Sequence, residues 1–265
     1  DLLHNEIVAL RYFHDQPGVN VARLIQVATR SHPLDSAKRI KAALISRMEG
    51  EQPSPQHLTW DDVRAIGRFL AHWHNATPQE GATRQQFKLV LDADGLFGPD
   101  SVYASQAERD LFTAEQQQIM QAVAERVRTA MQAVGQGTDA FGLIHADLLL
   151  KNVLLHHGTV SALDLEYCGW GYYLYDLAPL LWQLKTHPQY EAFAAALQQG
   201  YTAVRTLEAP EQLEAFIAAR QVASMRWVAA NQHLPMIGDK APQIIAQRTD
   251  ELRGFLETGV LQRSS

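Results

Sequence analysis

Apolar residues recur at Leu3, Ile7, Leu10 and Phe13, a spacing that predicts a helix at the start of the chain. Two extended segments follow, Asn20–Ala28 and Ile40–Arg47, then Met48-Glu49-Gly50 and a stretch broken by Pro53 and Pro55. Thr59-Trp60-Asp61-Asp62 resembles a capping box, and Val63, Ile66, Leu70 and Trp73 form the core stripe of the helix it opens. Residues 77–112 lack clean periodicity and contain Gly95, Gly98 and Pro99, so they read as an insertion or a long surface connection. Thr113-Ala114-Glu115-Gln116 caps another helix, with Ile119, Val123, Val127, Met131 and Val134 inward and Gly135 at its end. Gly142–His145 reads as a strand. Asn152–His156 and Thr159–Asp164 read as a hairpin turning at His157-Gly158. Further helices are predicted at 190–201, 211–232 and 242–257, with no internal repeat and no low-complexity tail.

Composition narrows the class. At 265 residues, 46% hydrophobic and 20% charged, the chain can bury a sizeable core, as one large lobe plus a smaller part. A formal net charge of −6 argues against a nucleic-acid partner and suits a cationic one. Cys168 is the single cysteine, which excludes an internal disulfide framework and fits a reducing cytoplasm; it reads as a packed small residue. No apolar run approaches the ~18 residues of a membrane span, and no signal-peptide pattern appears.

The chemistry concentrates in His145-Ala146-Asp147-Leu148-Leu149-Leu150-Lys151-Asn152 and, beyond the hairpin, Leu163-Asp164-Leu165-Glu166. A phosphoryl-transfer centre needs a carboxylate to orient a hydroxyl and accept its proton. It also needs an amide and a second carboxylate to hold Mg²⁺ against nucleotide phosphates. The hairpin would bring Asn152 and Asp164 roughly 5 Å apart at one mouth, overlooked by Asp147. Each residue has a plainer reading. Asp147 alone could make a local turn bond, and Asp176, ahead of Leu177-Ala178-Pro179-Leu180-Leu181-Trp182, could be an N-cap. Glu166 is either a second-metal or water-mediated ligand or a solvated carboxylate, and Lys151 is read as solvent-facing. His72-Trp73-His74 is not a metal pair, because residues two apart leave a helix on different sides; one histidine is read as core and one as surface.

The pattern H-x-D-x4-N, a strand ending in Asp, and Cys168-Gly169-Trp170-Gly171 running to Asp176 resembles the aminoglycoside phosphotransferase (choline kinase-like) family. The resemblance implies an α+β, protein-kinase-like two-lobe fold that phosphorylates hydroxyls of small molecules with Mg²⁺ and ATP or GTP. Residues 1–50 would be a truncated small lobe with the hinge, and 51–265 a mainly helical C-terminal lobe. By the same resemblance, Asp147 is the catalytic carboxylate, His145 braces its loop, and Asn152 and Asp164, with Glu166, hold metal. Glu6 would be the helix glutamate that pairs with a strand lysine. Ser46 and Met48 would lie where adenine is met, Asp176 would be buried under the loop, and residues 77–112 would insert near the substrate cleft. No Gly-rich phosphate loop or strand lysine precedes Glu6, and Lys38 and Lys41 follow the helix, so an upstream continuation is expected. Two other readings stay open: a catalytically inactive, kinase-like binding module, and a protein Ser/Thr kinase of the same fold. The acceptor is left among aminoglycosides, amino alcohols, amino acids such as homoserine, and sugars. Glu166, Asp92 and Asp94 are candidates to attract an ammonium group.

Overall fold

The computed structural model describes residues 2–32, 35–78, 82–105 and 111–261, with a mixed α+β architecture. Its helices are α1 (Leu2–Phe13), α2 (Trp60–Asn75), α3 (Ala82–Gln86), α4 (Ala93–Phe97), α5 (Ala114–Val134), α6 (Tyr173–Leu184), α7 (Tyr190–Thr202), α8 (Leu213–Ala230) and α9 (Ala241–Thr258). The strands are β1 (Leu24–His32), β2 (Asp35–Ile45), β3 (Val90–Leu91), β4 (Phe141–Ile144), β5 (Val153–His156), β6 (Thr159–Ala162) and β7 (Gly169–Tyr172). The chain gathers into two compact units. One comprises Asp1–Leu89, Gly142–Trp170 and Glu191–Thr206; the other comprises Val90–Phe141, Gly171–Tyr190 and Leu207–Ser265.

In the first unit α1 buries Ile7, Leu10 and Phe13, as the stripe requires, with Leu3 half-buried near the helix start. β1 and β2 form an antiparallel ribbon that pairs Val27 with Ala43, and α1 packs on it. The first strand starts later than the pattern predicted. Asn20 and Val21 are taken elsewhere, because Val21 bridges Ala162 in parallel and the Asn20 amide donates to Ser161 Oγ at 2.6 Å. Side chains of residues 31–40, Lys38 among them, lie outside the described ones.

α2 begins as expected. Thr59 Oγ1 accepts from the Asp62 N–H at 3.1 Å, and the Asp62 carboxylate accepts from the Thr59 N–H at 3.0 Å. Val63, Ile66, Leu70 and Trp73 are all fully buried. His74 is the core histidine, its Nδ1 2.8 Å from the Tyr201 hydroxyl, while His72 is half-buried. The crossing of α2 and α7 is unusually close. A Cβ on Gly67 would lie 2.1 Å from the Leu197 carbonyl oxygen, and one on Gly200 would lie 2.0 Å from that of Arg64. Two small residues let the backbones meet, and that seats the face of α2 carrying Trp73.

The second unit is helical. α8 buries residues on nearly every side, so α5, α6 and α9 pack around it. Its Arg226 guanidinium donates to the carbonyls of Leu96 at 2.9 Å and Gly98 at 3.3 Å. α5 carries the predicted capping box, with Val123, Val127 and Met131 buried and Ile119 and Val134 half-buried. The aperiodic 77–112 stretch holds the short elements α3, β3 and α4.

Asp176 is not an N-cap. α6 starts directly after β7 with Tyr172 as its N-cap, so Asp176 is the fourth helical residue and fully buried, and Pro179 lies inside the helix.

Gly67→Ala should cost about 1–3 kcal/mol, because neither backbone can retreat without unpacking its helix. A urea melt with an unchanged midpoint would mean that the crossing yields.

Candidate active site

β4 delivers the chain into a tight loop in which Ala146 adopts φ +68°, folding the buried His145 ring back over the next peptide. Nε2 of that ring lies 3.0 Å from the Leu163 carbonyl oxygen, and Nδ1 accepts from the Asp147 N–H at 3.3 Å. One neutral tautomer serves both: Nε2–H donates and Nδ1 accepts. The imidazole lies tilted against Trp73, centroids 5.5 Å apart, and Trp73 stacks on Phe13 at 3.7 Å. Helices α1 and α2 thereby fix the base of the loop.

Asp147 is held from the other side by Asn152. The Asn152 amide donates to the Asp147 carbonyl at 2.8 Å and to Asp147 Oδ2 at 3.1 Å. Lys151 Nζ stands 3.7 Å from the same oxygen, although its side chain is 61% exposed. The sequence pattern makes Asn152 the first residue of the outgoing strand; instead it ends a 3₁₀ turn, Leu150–Asn152, and the strand starts at Val153. The turn follows from the Asn152 N–H bonding to the Leu149 carbonyl at 2.8 Å, which swings the amide back toward Asp147.

The hairpin turns at the expected residues, and its register sets Leu163, one before Asp164, opposite Asn152. His156 faces Thr159, Val153 faces Ala162, and both turn residues take positive φ, His157 +47° and Gly158 +77°. At the open end the Leu163 N–H donates to the Asn152 carbonyl at 2.9 Å, and Asp164 follows with φ +62°. The loop and hairpin therefore bring Asp147, Asn152 and the backbone leading into Asp164 to one place.

Glu6 and Glu166 join them. The neighbouring Asn5 amide donates to the carbonyls of Glu166 at 2.7 Å and Cys168 at 2.6 Å, tying α1 to the segment after Asp164. Burial pushes the Glu6 carboxyl above its ordinary value, and Asp164 pushes it further. A hydrogen bond from the Leu165 N–H pulls it back. Glu166 is raised by burial and then by the charges of Asp164, Glu6 and Asp147, against Lys151. Among the described residues, no three His, Cys, Asp or Glu side chains converge as a metal cage. An Asn-plus-Asp pair fits a hard cation that takes its remaining oxygens from phosphate and water, and the surplus of negative charge fits it too.

The segment around Ser46 and Met48 is partly committed to structure. The Ser46 N–H donates to the Arg23 carbonyl at 2.8 Å, and its hydroxyl accepts from the Arg23 N–H at 2.9 Å, closing the ribbon. Met48 is half-buried in the extended segment that follows. Glu51 then bridges Leu155 of the hairpin, and the Gln52 amide donates to the Lys151 carbonyl. Asp92 is an N-cap, accepting from the Gly95 N–H at 2.9 Å. Asn5, and Trp73 as the partner of His145, are additions to the site that motif spacing did not suggest. Their only signal was adjacency to Glu6 and membership of a core stripe.

The chain is similar to known proteins in sequence and in fold. The model of the phosphotransferase enzyme family matches residues 1–216. A homoserine kinase of Gluconobacter oxydans (strain 621H) is 39% identical over 95 residues, 32% of this chain and 30% of that protein. The match thus spans about a third of that relative's length. The structure of a microcompartment-associated aminopropanol kinase superposes with a TM-score of 0.79 at 21% identity, covering 98% of this chain and 83% of the other. That of an amicoumacin kinase with AMP-PNP, Ca²⁺ and its ligand gives 0.74 at 16% identity, covering 95% and 78%. These likenesses show a shared fold, that of kinases with a helical C-terminal lobe.

The raised Glu166 carboxyl has a pH consequence. Its contribution to stability is fully present below the ordinary carboxyl range and is lost as pH rises through the raised value. Glu166→Gln should therefore stabilise the metal-free protein at pH 7.5 by about 0.5 kcal/mol or less after solvent screening. The gain should shrink toward pH 4.5, and a pH-independent gain in thermal melts would contradict the assignment.

Proposed function

Because this chain belongs to the phosphotransferase enzyme family, we propose that it transfers the γ-phosphate of ATP or GTP to a hydroxyl of a small molecule. The observation that carries this reading is the double hold on Asp147, by the Asn152 amide on its carboxylate and by His145 on its backbone. A carboxylate fixed in this way can accept a hydrogen bond from a substrate hydroxyl and orient its oxygen for in-line attack. Its role is positional first, and it takes the proton late, since the transition state is loose. Asn152 and Asp164 would hold Mg²⁺, with Glu166 beside them, and the cation would supply charge neutralisation at the phosphate oxygens. Glu6 would pair with a lysine that holds the nucleotide phosphates. Met48, with the backbone around Ser46, would face the base. On this reading residues 1–50 form the small lobe with the hinge, and 51–265 the helical lobe.

The acceptor we propose is a small alcohol that also carries an amine. The formal charge of −6 and the cluster of Asp147, Asp164, Glu6 and Glu166 favour a cationic molecule. A homoserine kinase and an aminopropanol kinase are among the proteins to which the chain is similar.

Asp147→Asn should lower turnover by about 10²–10⁴-fold while nucleotide affinity stays within a few-fold. Wild-type turnover in this variant would refute the role. Asp164→Ala should abolish the Mg²⁺ dependence of ATP binding, and an unchanged Mg²⁺ titration would remove Asp164 from the metal site. The deciding assay is nucleotide consumption across aminoglycosides, amino alcohols, amino acids and sugars, with Asp147→Asn as the control. Silence throughout, with no Mg·ATP binding, would favour a binding module instead.

A further inference from the structure

We propose that a cavity of about 400 Å³ beside the hairpin turn is an effector site for a small organic anion with an apolar body. It lies between the loop after α1, the outer face of α2 and the β5–β6 turn, all within the first unit. Val19, Phe69 and Val160 supply apolar walls, while Arg68 and His72, one turn apart on α2, and Thr159 on β6 supply the polar groups. No carboxylate lines it, and Arg68 ion-pairs with no carboxylate among the described residues. A guanidinium fork, a ring N–H and a hydroxyl facing an apolar wall match a phosphate or carboxylate carried on a ring or short chain.

The cavity is built, not incidental. Gly18 stands at φ +74° with its backbone against His72, so close that a Cβ there would fall 2.5 Å from the imidazole. The loop therefore presses the ring into place. Gly158, by contrast, faces open space, which leaves the mouth clear.

Its position gives the occupant leverage. The loop continues α1, which carries Glu6; His72 adjoins Trp73, which packs on His145. Asn20 fastens the loop to β6 through Ser161 Oγ, and its carbonyl accepts from the Ala162 N–H at 3.0 Å. The hairpin is four residues long, about 13 Å, and its opposite end holds Asn152 and leads into Asp164. Three elements that build the active site thus share this one cavity.

The test is isothermal titration of the full protein with phenyl phosphate, with and without saturating Mg²⁺ and AMP-PNP. Inorganic phosphate and phenol serve as the two half-ligands. The expected result is saturable one-to-one binding, about tenfold tighter than either half. Affinity should fall about tenfold in R68Q/H72Q at an unchanged melting temperature. Should that variant melt early, Thr159→Glu sets a carboxylate at the exposed rim without unpacking anything and should weaken binding equally. Absence of saturable binding, or equal affinity in these variants, overturns the site. Filling the nucleotide site should change phenyl phosphate affinity by about twofold or more, and a ratio of one overturns the effector role. Only this last arm rests on the nucleotide reading above. Direct titration of AMP-PNP, made separately, distinguishes failure of that reading from failure of this one.

Discussion

A single buried imidazole holds this structure's chemistry in register. His145 joins the Leu163 carbonyl to the Asp147 N–H, so the segment before Asp164 and the loop bearing Asp147 cannot shift independently. The bond to Asp147 is buried, where solvent cannot replace it, which makes losing it more costly than its net strength in water. The ring is itself positioned by Trp73, which is positioned by Phe13 and by the glycine-mediated crossing of α2 with α7. The helices of the first unit thus act as a jig for one loop conformation that includes a left-handed alanine.

Electrostatics supplies the complementary constraint. Glu166 is repelled by Asp164, Glu6 and Asp147, and Glu6 by Asp164, with Lys151 opposing. Such an arrangement destabilises the empty protein slightly and favours whatever cation enters. That bias is what a phosphotransferase needs, because the same cation then screens the incoming phosphates. Stability is traded locally for a site that is poised without ligand.

Much of this was legible in the residues. Capping boxes at Thr59 and Thr113, the stripes of α1 and α2, and the hairpin turn are local codes in which side chain and backbone agree, and they appear where spacing put them. That the loop with Asp147 and Asn152 meets the end of the hairpin before Asp164 was legible for the same reason, since a short hairpin fixes what its ends can reach. Tertiary competition was not legible. Asn20 and Val21 look like strand residues but are claimed by β6. Asp176 looks like a cap because the aromatic run 172–175 hides an earlier helix start. Asn152 reads as a strand residue, yet its side chain does more in a 3₁₀ turn. In each case a partner distant in sequence decided the outcome.

The central claim is that the clasped Asp147 directs phosphoryl transfer to a hydroxyl. ³¹P NMR of the full protein with Mg·ATP and an amine-bearing alcohol tests it most directly, because it identifies the bond formed and not only the nucleotide consumed. The account predicts a new phosphomonoester resonance that grows with time and is absent when Asp147 is replaced by asparagine. Nucleotide consumed to inorganic phosphate alone, or the same ester formed at the same rate by the asparagine variant, would contradict it.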